Sequence, residues 1–275
     1  MLSWLCAVLA ALLYGAGTLF QTAGARRVAG LKAVVSPLVI AGYVVDTLAW
    51  PASVVALRNL PLFAVEAIQA TQVLWVLVGA AWLFKLRPRR VDLGAAVFVV
   101  GALALIALSA GAQPAAVPSR TFKITAIVAG LVLAAVFLVW RRRLPPVALA
   151  VIGGLGYALA TISVRGAEAG TSFSLLSLLH QPLLISLALG GVIGTISFVT
   201  SLSKGQPGAM TALACVLEVS IPTIVGLVWL GDTILPGWEW AAGLGVLVGL
   251  IGAVVLAMGP VGTLQSDAAS RKPAG

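Results

Sequence analysis

Three acidic residues of this 275-residue chain lie inside long apolar stretches, where carboxylates are rare. Asp46 is near the middle of one stretch, Glu218 is near the middle of another, and Glu66 is about a turn and a half inside the end of a third. An ionised side chain in a bilayer costs on the order of several kcal/mol unless it is paired, protonated or facing water. No Lys or Arg lies at comparable depth. The three carboxylates therefore suit proton exchange or cation binding.

Other polar side chains share a helix face with these carboxylates when successive residues are placed about 100° apart. Such faces are not expected to point at lipid, and we expect them to surround one central cavity. The candidate residues for binding a substrate or a proton are Asp46, Glu218, Glu66, Tyr14, Thr18, Gln21, Tyr43, Gln69, Gln72, Tyr157 and Thr211. The alternative for the lone hydroxyl and amide groups is that they hydrogen-bond neighbouring helices together. Glu66 has the further alternatives of reaching the outer interface or pairing with Arg58.

Pro222 shares the stripe of Glu218 and predicts a kink beside that carboxylate. A proline inside a helix removes one backbone hydrogen bond, and the carbonyl freed four residues earlier is that of Glu218 itself. Exposed backbone of this kind is tolerated in a membrane where it lines a cavity, which favours a binding site. The alternative is an ordinary bent helix.

The composition places these residues in a membrane protein, because 61% of the chain is hydrophobic and only 9% is charged. Short loops and a short tail leave no room for a separate soluble domain, so a soluble enzyme is excluded. The net charge of +9 comes from basic residues that flank apolar stretches. They indicate membrane topology and no nucleic-acid partner. Cys6 and Cys215 have no partner at metal-ligand spacing and are interpreted as packing residues.

About 20 apolar residues cross a bilayer as a helix, and the chain supplies nine such spans. The fold class is therefore an all-α integral membrane protein. The predicted spans are Leu2–Ala23, Pro37–Leu57, Pro61–Phe84, Val91–Ala110, Phe122–Trp140, Val147–Val164, Pro182–Leu202, Gly208–Leu230 and Gly237–Met258. Residues 171–180 either extend the seventh span or form an interfacial helix. His180, at the outer boundary, is interpreted as interfacial.

The distribution of Lys and Arg over the loops supports this count. Thirteen basic residues fall on one set of alternating loops and four on the other. Since basic loops stay in the cytoplasm, we expect the N-terminus outside and the C-terminus inside the cytoplasmic (inner) membrane. Asp232 and Glu239 are expected in a solvated outer loop.

The chain also matches itself at offsets of 143 to 147 residues, so that spans one to four resemble spans six to nine. Corresponding spans are five apart, an odd number, so the two halves cross the membrane in opposite directions. The prediction is two inverted four-helix repeats, 1–110 and 147–259, joined by a connector helix in 111–146 and followed by a disordered cytoplasmic tail, 260–275. The matching anchors are Tyr14 with Tyr157, Thr18 with Thr161, Ser36-Pro37 with Gln181-Pro182, Leu60-Pro61 with Gln206-Pro207, and Trp82-Leu83 with Trp229-Leu230.

A proline-containing span that ends in Leu230-Gly231-Asp232, followed by a glycine-rich span, resembles the last two helices of the drug/metabolite transporter superfamily, in its EamA-like group. The family has Glu where this chain has Asp232, and the first half has Phe84-Lys85 where a Gly-Glu pair would stand. The nine-span count is similar to the magnesium-transporter-like NIPA branch. The resemblance implies a transporter. No cofactor is expected from the sequence.

These patterns favour a secondary transporter that moves a small solute by alternating access. Its substrate would be a cationic or neutral metabolite, a drug or a divalent cation, and proton coupling is compatible with the carboxylates; the sequence leaves any metal site unknown. The alternative is a non-transporting assembly partner or a lipid flippase.

The glycine stripe of Gly243, Gly245, Gly249 and Gly252 is a face that could dock a partner helix or a second copy as a homodimer. An intramembrane enzyme is disfavoured because the chain has no HExxH or GxSxG motif.

Overall fold

The computed structural model describes residues 2–28, 30–57, 65, 68–85, 88–111, 118–141, 143–168 and 181–258. These residues are almost entirely helical, and the one β-bridge among them joins Ala110 to Ile234. The helices are α1 Leu2–Arg27, α2 Pro37–Leu57, α3 Gln72–Leu83, α4 Arg90–Ser109, α5 Arg120–Trp140, α6 Pro146–Glu168, α7 Leu183–Lys204, α8 Pro207–Val225 and α9 Glu239–Ala257. A 3-10 turn, Gly30–Val35, precedes α2, and a π-helical turn, Gly226–Leu230, follows α8.

Seven of these helices are long and apolar enough to cross a membrane, namely α1, α4, α5, α6, α7, α8 with its π turn, and α9. The chain is therefore an all-α, multi-pass membrane protein, as its composition predicts. The second predicted span is present as the helix α2. Within the third, the structure describes the apolar helix Ile68–Leu83, and 58–64 and 66–67 lie outside the described residues. The count of nine spans stays a prediction, as does the placement of residues 171–180, which are not described.

Local signals explain where several helices begin and end. The Asp92 carboxylate accepts a hydrogen bond from the Arg89 backbone N–H at 2.8 Å and caps the start of α4. Ser119 Oγ accepts from the Phe122 N–H at 3.1 Å at the start of α5. Pro207 occupies the first turn of α8, where its missing N–H has no partner to lose. Gly231 ends the π turn with φ 72°, a left-handed conformation that favours glycine.

Helix packing is tightest where two glycines face each other. In the α6–α7 pair, a Cβ on Gly156 would lie 2.7 Å from the Gly190 carbonyl oxygen, and a Cβ on Gly190 would lie 2.6 Å from the Gly156 carbonyl oxygen. The α1–α2 pair crosses in the same way, since a Cβ on Gly42 would lie 2.6 Å from the Gly17 carbonyl oxygen. The absence of side chains lets the backbones approach, which maximises dispersion contacts where lipid offers no hydrophobic driving force.

The glycine stripe of α9 is used inside the chain rather than at its surface. A Cβ on Gly245 would lie 2.8 Å from the Ala102 carbonyl oxygen of α4, and one on Gly252 would lie 2.8 Å from a Val99 methyl group. Gly249 packs beside Val216 of α8. The prediction of a free docking face is therefore wrong for these three glycines. Gly243 alone of the four has no atom within 4 Å of its Cβ position.

The two ends of the bundle are distinct. At one end the C-terminal ends of α1, α3 and α7 meet, because the Arg26 side chain reaches both Gly205 and the Phe84 ring. The start of α6 lies there too, since a Cβ on Gly205 would lie 3.1 Å from Pro146. We call this the basic end, because Arg26, Arg27, Lys85 and Lys204 lie there. At the opposite end the residues after α4 pair with the loop after α8, through Gly111 N–H to Thr233 O at 2.9 Å and Leu235 N–H to Ser109 O at 3.0 Å.

Candidate functional site

A cavity of about 680 Å³ lies between α1, α2, α3, α4, α6, α7 and α8. Its polar lining comes from both halves of the chain and includes both carboxylates predicted near midplane. None of its described lining residues is Lys, Arg or His. The predicted candidates that line it are Tyr14, Thr18, Gln21, Tyr43, Asp46, Gln69, Gln72, Tyr157, Thr211 and Glu218. Glu66, the eleventh candidate, lies outside the described residues.

Asp46 is held at the crossing of α1 and α2. Gln21 Nε2 donates a hydrogen bond of 2.6 Å to Asp46 Oδ2. The other oxygen, Oδ1, is buried and has no hydrogen-bond partner within the described part of the chain. It rests against Gly17, where any side chain would collide with it. Gly17 therefore has a specific role, which is to leave room for a carboxylate between two closely packed helices.

Glu218 differs from Asp46, because its carboxylate makes no hydrogen bond or ion pair with the described residues and the side chain is only half-buried. Its backbone neighbours on α8 are buried through Val216 and become half-buried from Leu217 to Val219. A carboxylate that has no protein donor and lines a cavity is free to accept hydrogen bonds from water or from a solute.

Tyrosines from both halves lie near the two carboxylates. Tyr14 on α1 and Tyr157 on α6 line the same cavity as Asp46 and Glu218. Thr195 on α7 lies near the hydroxyls of Tyr43 and Tyr157. The cavity thus combines hydroxyl groups and aromatic rings with two carboxylates, which suits a cation.

Gln69, just before α3, and Gln72, in its first turn, use their amide groups on neighbouring helices. Gln69 Nε2 donates to Ser53 Oγ of α2 at 2.8 Å. Gln72 Nε2 lies 3.5 Å from the Cys215 Sγ of α8, so this cysteine is a polar contact at the cavity wall and not a packing residue alone. Thr211, one turn before Cys215, is buried, and its hydroxyl has no hydrogen-bond partner among the described residues.

Sequence reasoning missed several residues that line the cavity. Asp232 was expected in a solvated loop, but it is half-buried, lines the cavity and folds back so that a Cβ on Gly226 would collide with its carboxylate. Thr195 and Thr223 also line the cavity. Lone threonines carry little signal in a span, and only the packing of α7 and α8 shows which way they face. Glu239 begins α9 and is exposed, as expected.

The helix remains α-helical through Pro222, which lines the cavity, and changes to a π turn at Gly226. Thr223 Oγ1 donates to the Val219 carbonyl at 2.7 Å, one of the carbonyls near the proline. Single π turns interrupt regular hydrogen bonding and are frequent at functional sites. The predicted kink beside Glu218 remains a prediction.

We expect Gln21→Met to destabilise the protein by about 1–3 kcal/mol, because Asp46 would lose the one hydrogen bond it makes among the described residues. Methionine keeps the length and removes the donor. Denaturant titration of the detergent-solubilised protein, followed by tryptophan fluorescence, measures this loss. A double-mutant cycle with Asp46→Asn separates the pair from each residue's own effect. Equal costs of Gln21→Met in wild-type and Asp46→Asn backgrounds would contradict the assigned bond.

No family model, curated protein or solved structure matches the chain. The resemblance to a transporter superfamily therefore stays an expectation from the sequence motifs alone. The functional conclusion has to come from the cavity itself.

Proposed function

We propose that the chain is a secondary transporter that moves a small cationic solute across the membrane by alternating access. The observation that carries the proposal is the cavity in which Asp46 of the first half and Glu218 of the second half share one space with no described basic residue. Uncompensated carboxylates at this depth are costly to keep, and they are typical of ion and substrate pathways. An anionic solute would be repelled by the same two groups.

The helix packing supports the inverted-repeat proposal. In the proposed repeats, α1 to α4 correspond to α6 to α9. The contact of α1 with α2 then corresponds to that of α6 with α7, and the contact of α1 with α3 corresponds to that of α6 with α8. The same correspondence maps α3–α4 onto α8–α9, while the α3–α8 and α4–α9 contacts map onto themselves. All of these contacts are present. Matching contacts of this kind are expected of two inverted repeats that exchange conformations in alternating access.

The repeat offset of 146 residues that aligns Pro61 with Pro207 also aligns Gln72 with Glu218. Both residues line the cavity, on the helices α3 and α8, which contact each other. The second half thus has a carboxylate where the first half has an amide of similar length. This difference supports different roles for the two residues, in which Glu218 binds the charged group of the solute and Gln72 positions the facing helix.

The proposed cargo is an organic cation rather than a divalent metal. Mg²⁺ prefers several oxygen ligands that converge on one point. Among the described residues no group of three or more His, Cys, Asp or Glu side chains could hold a metal ion. Tyrosine rings beside the carboxylates instead favour a protonated amine. Coupling to protons fits the same groups, since a carboxylate can take either a proton or the cation.

We place the chain in the drug/metabolite transporter superfamily, on the motif that runs from Pro222 to Asp232, and in the cytoplasmic membrane with the basic end inside. The charge bias of the loops supports this orientation. The flippase and assembly-partner alternatives would be favoured by carboxylates that face a lipid-open groove. The groove between α4 and α9, about 460 Å³, is instead lined by apolar residues and glycines and contains neither carboxylate.

The test is flux into proteoliposomes, with a pH-sensitive dye inside, for a panel of amines and their uncharged isosteres, and for Mg²⁺. We expect uptake of at least one amine above that of protein-free liposomes, with no uptake of its uncharged isostere. Uptake of anions in place of cations would overturn the assignment. Protein-dependent scrambling of labelled lipid, with no solute flux, would establish the flippase alternative.

A further inference from the structure

At the basic end, just beyond the cavity, one arginine ties three helix ends together. Arg26 is in the last turn of α1. Its Nη2 donates to the Gly205 carbonyl at 2.9 Å, and its Nε lies 3.5 Å from the Leu202 carbonyl. The guanidinium carbon is 4.6 Å from the centre of the Phe84 ring, directly after α3. The sequence suggested only a topology signal here, since nothing in the spacing of Arg26 indicates partners that are far away along the chain.

The chemistry of this contact is favourable but reversible. The last carbonyls of α7 have no partner within their own helix and carry the negative end of the helix dipole, so a guanidinium binds them well. The Phe84 ring adds a cation–π contact. Because two acceptors are neutral carbonyls and not a buried carboxylate, separating Arg26 from them leaves no unpaired acidic group behind.

The position of the contact relative to the cavity gives it a function. The cavity lining extends to Asp232, Thr233 and Ile234 at the opposite end of the bundle. On α1 the last lining residue towards the basic end is Gln21, five residues before Arg26, which is about 7.5 Å along a helix. The Arg26 contact joins α1 and α3 of the first half to α7 of the second. In the proposed alternating-access movement these two halves separate from each other at this end.

We infer that Arg26, Phe84 and the Gly205 carbonyl form the gate that closes the transport cavity at the basic end of the bundle. The inference rests on the proposed transport function, but its test needs no substrate. When the gate is formed, the cavity is reached from the opposite end only. When the contact breaks, the first half separates from α7 and the cavity becomes accessible from the basic end.

Cys215 provides the measurement, because it lines the cavity and the other cysteine, Cys6, can be replaced by serine. In sealed vesicles of each orientation, a membrane-impermeant maleimide added to one side reports access of Cys215 to that side. In the Cys6→Ser background we expect negligible labelling from the basic side. Arg26→Gln should raise labelling from that side about 10-fold or more, an estimate for the loss of a contact worth about 1.4 kcal/mol.

The matched control is Arg27→Gln, which removes the same charge from the next residue, an exposed side chain. It should leave labelling unchanged. Arg26→Lys keeps the charge without the two-pronged donor geometry and should give an intermediate rate. If Arg26→Gln does not fold, Phe84→Leu, which removes only the ring, should still raise labelling from the basic side by a smaller factor.

Equal labelling of Cys215 from the basic side in the Arg26→Gln and Arg27→Gln proteins would overturn the gate. Strong labelling of the parent protein from the basic side would overturn it as well. The labelling experiment uses no solute, so it tests the gate separately from transport. If labelling changes as expected but the protein shows no measurable flux, the gate is supported and the transport proposal fails. Loss of flux in Arg26→Gln without a change in labelling would assign Arg26 to another step.

Discussion

Glu218→Gln is expected to reduce cation uptake by about 30-fold or more while the protein remains folded. Glu218 is a cavity carboxylate with no hydrogen-bond donor among the described residues, so a bound cation would be its partner, and losing one member of a charge pair enclosed in the cavity costs about 2–5 kcal/mol. Glutamine keeps the shape and removes the charge. Initial uptake rates in proteoliposomes of equal protein content, with the internal pH recorded at the same time, measure the effect.

The control for this substitution is Glu239→Gln, which removes a carboxylate from the exposed first turn of α9 and should leave uptake unchanged. Asp46→Asn distinguishes the two cavity carboxylates, because Asp46 is already hydrogen-bonded to Gln21 and enclosed by the α1–α2 crossing. Uptake that survives in both Glu218→Gln and Asp46→Asn would retain the transporter and reject the site. Uptake lost only in Asp46→Asn would reverse the proposed roles.

Gly190→Val is expected to prevent folding or to destabilise the protein by about 3 kcal/mol or more. A Cβ at this position would lie 2.6 Å from the Gly156 carbonyl oxygen and 3.0 Å from the Ala160 backbone nitrogen. Both atoms belong to the backbone of α6, so no change of rotamer relieves the overlap and the helices have to move apart. The yield of monodisperse protein in mild detergent and the midpoint of denaturant unfolding measure this loss.

The adjacent residue is a close internal control. Gly191 lies on the same turn of α7, and a Cβ there would meet no atom within 4 Å. Gly191→Val should therefore change stability by no more than about 0.5 kcal/mol, as do most substitutions away from packed contacts. Similar losses for the two variants would mean that the effect comes from valine in the helix and not from the α6–α7 crossing.

The sequence alone predicted the class of protein and ten of the polar residues that line the cavity. Its hydrophobic fraction is typical of a protein embedded in lipid. Each membrane-spanning helix satisfies its own backbone hydrogen bonds, so a span can be recognised in the sequence without knowing which helices pack beside it. Asp46 and Glu218 stand out for the same reason, since a carboxylate in an apolar span is costly wherever its helix packs. Helical periodicity then predicts which residues accompany each of them.

Tertiary structure decided what depends on two helices at once. The Gln21–Asp46 hydrogen bond, the place of Gly17 beside that carboxylate, and the Arg26 contact with Gly205 join residues from different helices. The register and rotation of these helices relative to one another are set by side-chain packing and produce no periodic pattern in the sequence. Two predictions were wrong for the same reason. The α9 glycines pack against α4 and α8 and do not form a free docking face, which depends on where α4 lies. Asp232 lines the cavity and is not in a solvated loop, because the chain folds back after the π turn that follows α8.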